Sequence, residues 1–272
     1  MKFLSKDARR KLKDIELFVL DIDGTFSISG KFFEGSLKFA VNVERKSKKF
    51  VFLTNNSNKS LEEYLEEFEK NGLFLDSEQV FTAGIETAEY LYEKFGSKKI
   101  YIVGTSAIKD IFERAGHKVV EHDPEIVVVT FDKSLNYEKL AKASTFVSQG
   151  KLFVITNPDL NCPSRDGPVP DTGAIASVIV QTTGRKPDIV FGKPEPLILE
   201  MVMKKFNVQK HKTCVVGDRL YTDILLGIRA EVLTILVLTG EAKEEDVHRL
   251  GITPDIIAND IGEIADFLGD SE

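Results

Sequence analysis

The chain has no tryptophan, only two cysteines and only four histidines among its 272 residues. Cys162 and Cys214 make no disulfide framework and no Cys/His zinc spacing. A reducing cytoplasm is the expected compartment. His117, His122, His211 and His248 show no ligand spacing, so structural or surface roles are expected of them. Long apolar runs are also missing. Ile235-Leu236-Val237-Leu238 is among the longest, far short of the roughly 20 residues that cross a bilayer. Residues 1–6, Met-Lys-Phe-Leu-Ser-Lys, turn charged at once and contain no apolar core, so no signal peptide is expected. Lysine and arginine form no tract, and the formal net charge is −7. That balance argues against nucleic acid or an anionic membrane as the main partner. Hydrophobic residues at 42% against 29% charged are too many for a disordered chain. The length suits one large domain or two ordinary ones.

What the chain does contain is an alternation of short apolar runs with stretches of helical period. Leu17–Leu20, Phe50–Leu53, Ile100–Val103, Ile126–Val129, Leu152–Ile155, Ile189–Phe191, Thr213–Val216 and Leu233–Leu238 read as strands. Between them, Ser60 and Glu63 make a capping box for a helix that Asn71-Gly72 ends, and Pro196 stands where a helix wants its first residue. Strands alternating with helices imply βαβ units and parallel sheets, hence an α/β fold. No solenoid repeat is present. The segment 157–172 has four prolines and no period, which marks a functional loop.

The segment 17–25, Leu-Phe-Val-Leu-Asp-Ile-Asp-Gly-Thr, carries the strongest chemical signal. An apolar strand delivers Asp21 and Asp23 to its carboxyl end, where open α/β sheets bind ligands. Strand alternation puts the two carboxylates on one side, close enough to repel. A divalent cation, or a proton on one of them, relieves that repulsion. Either arrangement suits phosphoryl transfer, with one carboxylate attacking and the other serving as acid and base. Gly24 lets backbone N–H groups approach a phosphate. A strand also ends in Thr54-Asn55-Asn56-Ser57, although Thr156-Asn157 repeats that local pattern. Lys193 stands between Gly192 and Pro194, and Asp218 follows another apolar strand. Oxygen ligands without nearby His or Cys suit Mg²⁺. Asp223 follows Thr222, and the pair reads as the N-cap of the next helix. Gly104-Thr105-Ser106 reads as a plain strand-to-helix turn, and Cys214 as core.

Asp21-Ile-Asp23-Gly-Thr25 resembles the first motif of the haloacid dehalogenase (HAD) superfamily of phosphatases. Residues 50–57 are similar to its second motif, 191–196 to its third and 215–223 to its fourth, in family order. The resemblance implies that Asp21 is the nucleophile and Asp23 the acid/base. It implies that Asp21, Asp23 through its backbone carbonyl, and Asp218 hold Mg²⁺. It further implies that Gly24, Thr54, Asn55, Asn56 and Lys193 bind the phosphoryl group, with Asp223 supporting Lys193 or a metal-bound water from behind. The interval 21–54 has room for a flap, Ser27–Phe33, and one helix. The interval 54–193 is far longer than one crossover needs. This resembles the type II cap of the NagD-like, p-nitrophenyl phosphatase-like branch. The expected layout is a Rossmann-like parallel-sheet core at 1–83 and 187–272, with a second α/β cap domain at 84–186 between the second and third motifs. Asp159 and Cys162 fall in the expected cap substrate loop. Asp171 departs from the branch, which more often has glycine there. The implied activity is Mg²⁺-dependent hydrolysis of small phosphomonoesters through an aspartyl-phosphate, with a homodimer through the cap as candidate assembly. A phosphomutase or phosphotransferase shares all four motifs. A dehalogenase should lack the acid at Asp23, and a non-catalytic phospho-ligand sensor should have lost one of the two aspartates.

Overall fold

The computed structural model describes residues 1–3, 5–56, 59–162 and 167–269. The chain divides into two compact units. The first comprises residues 1–54, 61–81 and 193–272; the second comprises 82–192 and takes in the described residues of 55–60. The second unit runs past the sequence boundary at 186 because the short strand Ile189–Val190 pairs in parallel with Leu152–Ile155. Among the described residues no helix is long and apolar enough to cross a membrane.

The first unit is built on a seven-stranded sheet. Its order is Lys2–Phe3, Ile256–Ala258, Leu233–Val237, Thr213–Gly217, Leu17–Leu20, Lys49–Thr54 and Val80–Thr82. The central pairings, from Ile256–Ala258 across to Lys49–Thr54, are all parallel. Lys2–Phe3 is antiparallel at one edge. The strands Val80–Thr82 and Ile256–Ala258 are too short to stand out in the sequence. Alternate residues Phe18 and Leu20, Phe50 and Phe52, Cys214 and Val216 share one face. They pack there against Leu12, Phe39, Val43, Tyr64, Phe68 and Ile264 from four helices. Burial on both faces explains why these strands are apolar without alternation. The flap is a small hairpin, Ser27–Ile28 with Lys31–Phe32.

The second unit has a five-stranded parallel sheet in the order Ile189–Val190, Leu152–Ile155, Ile126–Val129, Lys99–Val103, Lys118–Val119. Helices Ala83–Phe95 and Ser106–Arg114 cover one face through Leu91, Ile108 and Phe112. Helices Tyr137–Ser148 and Thr172–Thr183 cover the other through Ala143, Val147, Ile175 and Ile179. This is a three-layer α/β sandwich.

Candidate active site

In the first unit the chemistry gathers at the carboxyl ends of neighbouring parallel strands. Leu17–Leu20 and Thr213–Gly217 pair with Leu20 opposite Val216, so Asp21 and Asp218 leave the sheet side by side. The Asp21 N–H donates to the Val216 carbonyl (2.9 Å) and holds that register one step beyond the strand. On the other side of Leu17–Leu20, Lys49–Thr54 ends at the buried Thr54.

Lys193 is buried, and its ammonium pairs with both Asp21 Oδ1 and Asp223 Oδ1, the latter at 2.7 Å. Burial alone would lower the pKa of Lys193, but the charges of Asp21 and Asp223 outweigh it and hold the pKa above the ordinary lysine value. It therefore stays an ammonium. One ammonium does not balance three neighbouring carboxyls. Burial, opposed by Lys193 and reinforced by Asp223 and Asp218, pushes Asp21 up to about 8. Burial and then Asp223 push Asp218 up to about 6.

Asp218 sits in a close-fitting socket. Thr25 Oγ1 donates to its Oδ1 (3.2 Å) and the Glu241 N–H to its Oδ2 (2.8 Å). A Cβ on Gly24, where φ is +93°, would stand 2.5 Å from Oδ2, and one on Gly240 only 1.9 Å away. Gly24 thus makes room for a carboxylate as well as turning the chain. Thr239 Oγ1 donates to the Gly24 carbonyl (2.6 Å) and ties the two glycine segments together. Asp223 differs from its expected N-cap role. It lies within a wide helical turn, Leu220–Ile224, and its Oδ2 reaches back to accept the Arg219 N–H (3.1 Å). Four residues of separation let the side chain close that turn, so Arg219 opens the helical segment instead.

Asp23 is exposed, in contrast to Asp21. Exposure suits a group that must meet an arriving substrate and a water. Tyr64 is buried, and burial and then the charge of Asp23 hold its hydroxyl above the ordinary phenol value, so it stays protonated. Gly240, Thr239, Arg219 and Tyr64 were given no role by sequence pattern, and Thr25, part of the first motif, reads there as turning the chain and not as a donor to Asp218. For Tyr64 the signal was present: an aromatic four residues before Phe68 in a helix otherwise rich in glutamate.

Asp21, Asp218 and Asp223 each offer a carboxylate oxygen within 4.8 Å of the others. Asp21 and Asp223 share the Lys193 ammonium, and Asp218 accepts from Thr25 and the Glu241 N–H, so the three acids face one another across a single cluster. Hard oxygen donors, with Asp21 and Asp218 pushed up by burial and crowding, fit a hard divalent cation.

The remaining expected site residues lie in the second unit. Asn55 Nδ2 donates to Asp159 Oδ2 (2.9 Å). Asn56 is half-buried. Cys162 is half-buried in a two-residue strand, Asn161–Cys162, paired with Val169–Pro170. Ser57 lies outside the described residues. Thr156, the rival to Thr54, follows the strand Leu152–Ile155 of the second unit's own sheet and is buried there. His117 is a structural residue: its ring bonds the Ala88 carbonyl (3.0 Å) and the Lys98 N–H (3.3 Å).

A family model described as haloacid dehalogenase-like hydrolase matches residues 18–118, and a second, described as HAD-hydrolase-like, matches 190–264. The acid sugar phosphatase of Staphylococcus aureus is 32% identical over 93% of this chain and 97% of its own length. The chain belongs to the HAD superfamily, as a NagD-like phosphatase. Among solved structures, the 4-nitrophenylphosphatase of Thermotoga maritima aligns with a TM-score of 0.91 at 44% identity, covering 94% of this chain and 98% of that one. NagD from Escherichia coli aligns at 0.85 and 31%, covering 92% and 98%. This HAD phosphatase carries its second α/β domain between the second and third motifs, as a cap. Phosphatases of the family are in general metal-dependent, and the acid cluster is where this chain would hold the ion.

Proposed function

We propose that this HAD phosphatase hydrolyses small phosphomonoesters, with sugar phosphates, nucleotides and p-nitrophenyl phosphate as the substrate class, through an aspartyl-phosphate on Asp21. The relatives' names support the sugar phosphates and p-nitrophenyl phosphate of that class. The observation that carries the chemistry is the Lys193 ammonium set between Asp21 and Asp223. It leaves the Asp21 carboxylate oriented, screened and able to attack. In the first step an Asp21 oxygen bonds phosphorus as the bond to the leaving oxygen breaks. Asp23 gives its proton to that oxygen. In the second step Asp23 takes a proton from water as the water displaces Asp21. Thr54, Asn55, Asn56, the turn at Gly24 and Lys193 hold the phosphoryl oxygens. Asp21, Asp218 and the Asp23 carbonyl would hold Mg²⁺, which when bound supplies positive charge against the phosphoryl oxygens. Asp159 and Cys162 influence substrate choice.

The test separates the two jobs of Asp23. p-Nitrophenolate leaves without a proton, whereas an alkoxide does not. Asp23→Asn should therefore phosphorylate itself faster from p-nitrophenyl phosphate than from an alkyl phosphate. Having lost its base, it should then stall, giving a nitrophenol burst near one equivalent of enzyme. Asp21→Asn should give no burst. Near-normal turnover of alkyl phosphates by Asp23→Asn would end the acid/base assignment.

A further inference from the structure

Asn157 follows the strand Leu152–Ile155 by two residues, and its side chain is fully buried. Its amide is used on both sides. Nδ2 donates to the Asn55 carbonyl (3.2 Å) and to Thr172 Oγ1 (3.1 Å). Oδ1 accepts the Asp159 N–H (3.0 Å). Asp159 in turn takes the Asn55 side-chain amide (2.9 Å). Asn55 is thus held at both ends, its carbonyl by Asn157 directly and its side chain by a residue that Asn157 aligns. A peptide is planar, so fixing the Asn55 carbonyl also fixes the Asn56 N–H on the opposite side of that plane. The chain at Gly192 presses on the same point. A Cβ there would stand 2.7 Å from Asn55 Oδ1, 2.7 Å from the Thr156 carbonyl and 3.0 Å from Asn157 Cβ.

One buried amide therefore ties together the backbone of Asn55 and Asp159 and the side chain of Thr172, the first residue of helix Thr172–Thr183, and packs against Gly192. Two of these adjoin phosphoryl-binding residues in the chain. Asn55 follows Thr54, and Gly192 precedes Lys193. Asparagine alone meets the demand at this reach, with two donors and an acceptor on one short side chain. Aspartate loses both donors, and serine offers one.

We propose that Asn157 is a positioning residue for phosphoryl transfer: it touches no substrate, but holds Asn55, the Asn56 N–H and the Gly192 turn, next in the chain to Thr54 and Lys193. This rests on the reading of Thr54 and Lys193 as phosphoryl-binding groups. A misplacement of about 1 Å in such groups can cost on the order of a hundredfold in rate. The phosphoryl group is common to every substrate, so the loss should be common too.

The experiment compares Asn157→Ala and Asn157→Asp with Val154→Ala, which removes buried volume from the same strand without touching this network. All are assayed well below their own melting temperatures. The Asn157 variants should lose at least about tenfold in kcat/KM, by one factor for p-nitrophenyl phosphate and for a hexose phosphate. The inhibition constant of inorganic phosphate should rise in step. Val154→Ala should melt earlier yet stay within about threefold of the parent. Asn157 variants that behave like Val154→Ala, or whose losses differ tenfold between the two substrates, would overturn the proposal. The first result means a purely structural role, the second a leaving-group contact. Should Asn157→Ala fail to fold, Asn157→Asp keeps the shape and the acceptor oxygen and decides the matter by the same three readings. Thr54→Val is run alongside. If it keeps full activity, the phosphoryl-site reading itself has failed, and the inference falls with it.

Discussion

Asp218 is held by contacts so close that a single methyl group should disable it. Gly240→Ala places a Cβ where the Asp218 carboxylate now lies. The carboxylate must swing away from Thr25 and the Glu241 N–H. The expected result is a loss of about a hundredfold in kcat/KM with the fold intact by circular dichroism, together with weaker activation by Mg²⁺ in a titration. Unchanged activity would show that the socket does not set the position of Asp218. Lys193→Met makes the complementary change. It removes the ammonium and leaves Asp21 and Asp223 facing each other in a buried place. Breaking such a pair costs about 3–5 kcal/mol, to be read in a urea melt, and turnover should fall with it. Asp21, Asp218 and Lys193 were legible in the sequence because each follows an apolar strand within a few residues of a glycine. Their neighbours were not. Gly240 and Thr239 touch residues 218 and 24 across the sheet, and nothing local in the segment 239–241 says so.

Elements were legible where they are long and apolar. Leu17–Leu20, Ile126–Val129 and Leu152–Ile155 fall where the sequence placed them, because burial on both faces demands an unbroken apolar run. Val80–Thr82 and Ile256–Ala258 escaped because three residues carry no period. The turn at Leu220–Ile224 escaped because Thr-Asp before an apolar run is also the signature of an N-cap, and only the backbone shows Asp223 reaching back to Arg219. The helix Leu61–Lys70 is anchored by aromatic packing beneath the Thr54 strand. Phe52 stacks on Phe68 at 4.4 Å and meets the edge of Phe26 at 4.8 Å. Phe52→Ala should cost about 3–5 kcal/mol in a urea melt. A cost below about 1 kcal/mol would show that the cluster closes over the cavity and does not hold the strand.

For the molecule as a whole, the crowded acids predict an unusual pH response in the metal-free protein. Asp21 and Asp218 hold their protons more tightly folded than unfolded, at about 8 and about 6 against an ordinary 3.8. Stability from these groups is therefore fully present below about pH 4. It is lost progressively as pH rises through about 6 and then 8. A divalent cation competes with those protons, so the stabilisation it confers should grow over the same range. Melting temperatures with EDTA and with Mg²⁺ should diverge as pH rises from 5 to 9. Parallel curves would show that the cation does not bind these acids. The two-part organisation was legible from motif spacing. The end of the second unit was not, because Ile189–Val190 looks like the opening of the third motif until its pairing partner is known.

The order of strands in the two sheets has a consequence for how the protein is made. All five strands of the second sheet lie between residues 99 and 190. The first sheet pairs Leu17–Leu20 with Thr213–Gly217, from opposite ends of the chain. Domains tend to fold as units during synthesis, at about 5–20 residues per second. The insert can therefore close while Leu17–Leu20 still waits for one of its neighbours. Asp21, made early, meets neither Lys193 nor Asp218 until most of the message has been read. A nascent chain halted near residue 215 should carry a protease-resistant insert between two protease-sensitive flanks, and no phosphatase activity. Asp21 stays without its partners on the ribosome, and translation itself acts as the safety catch.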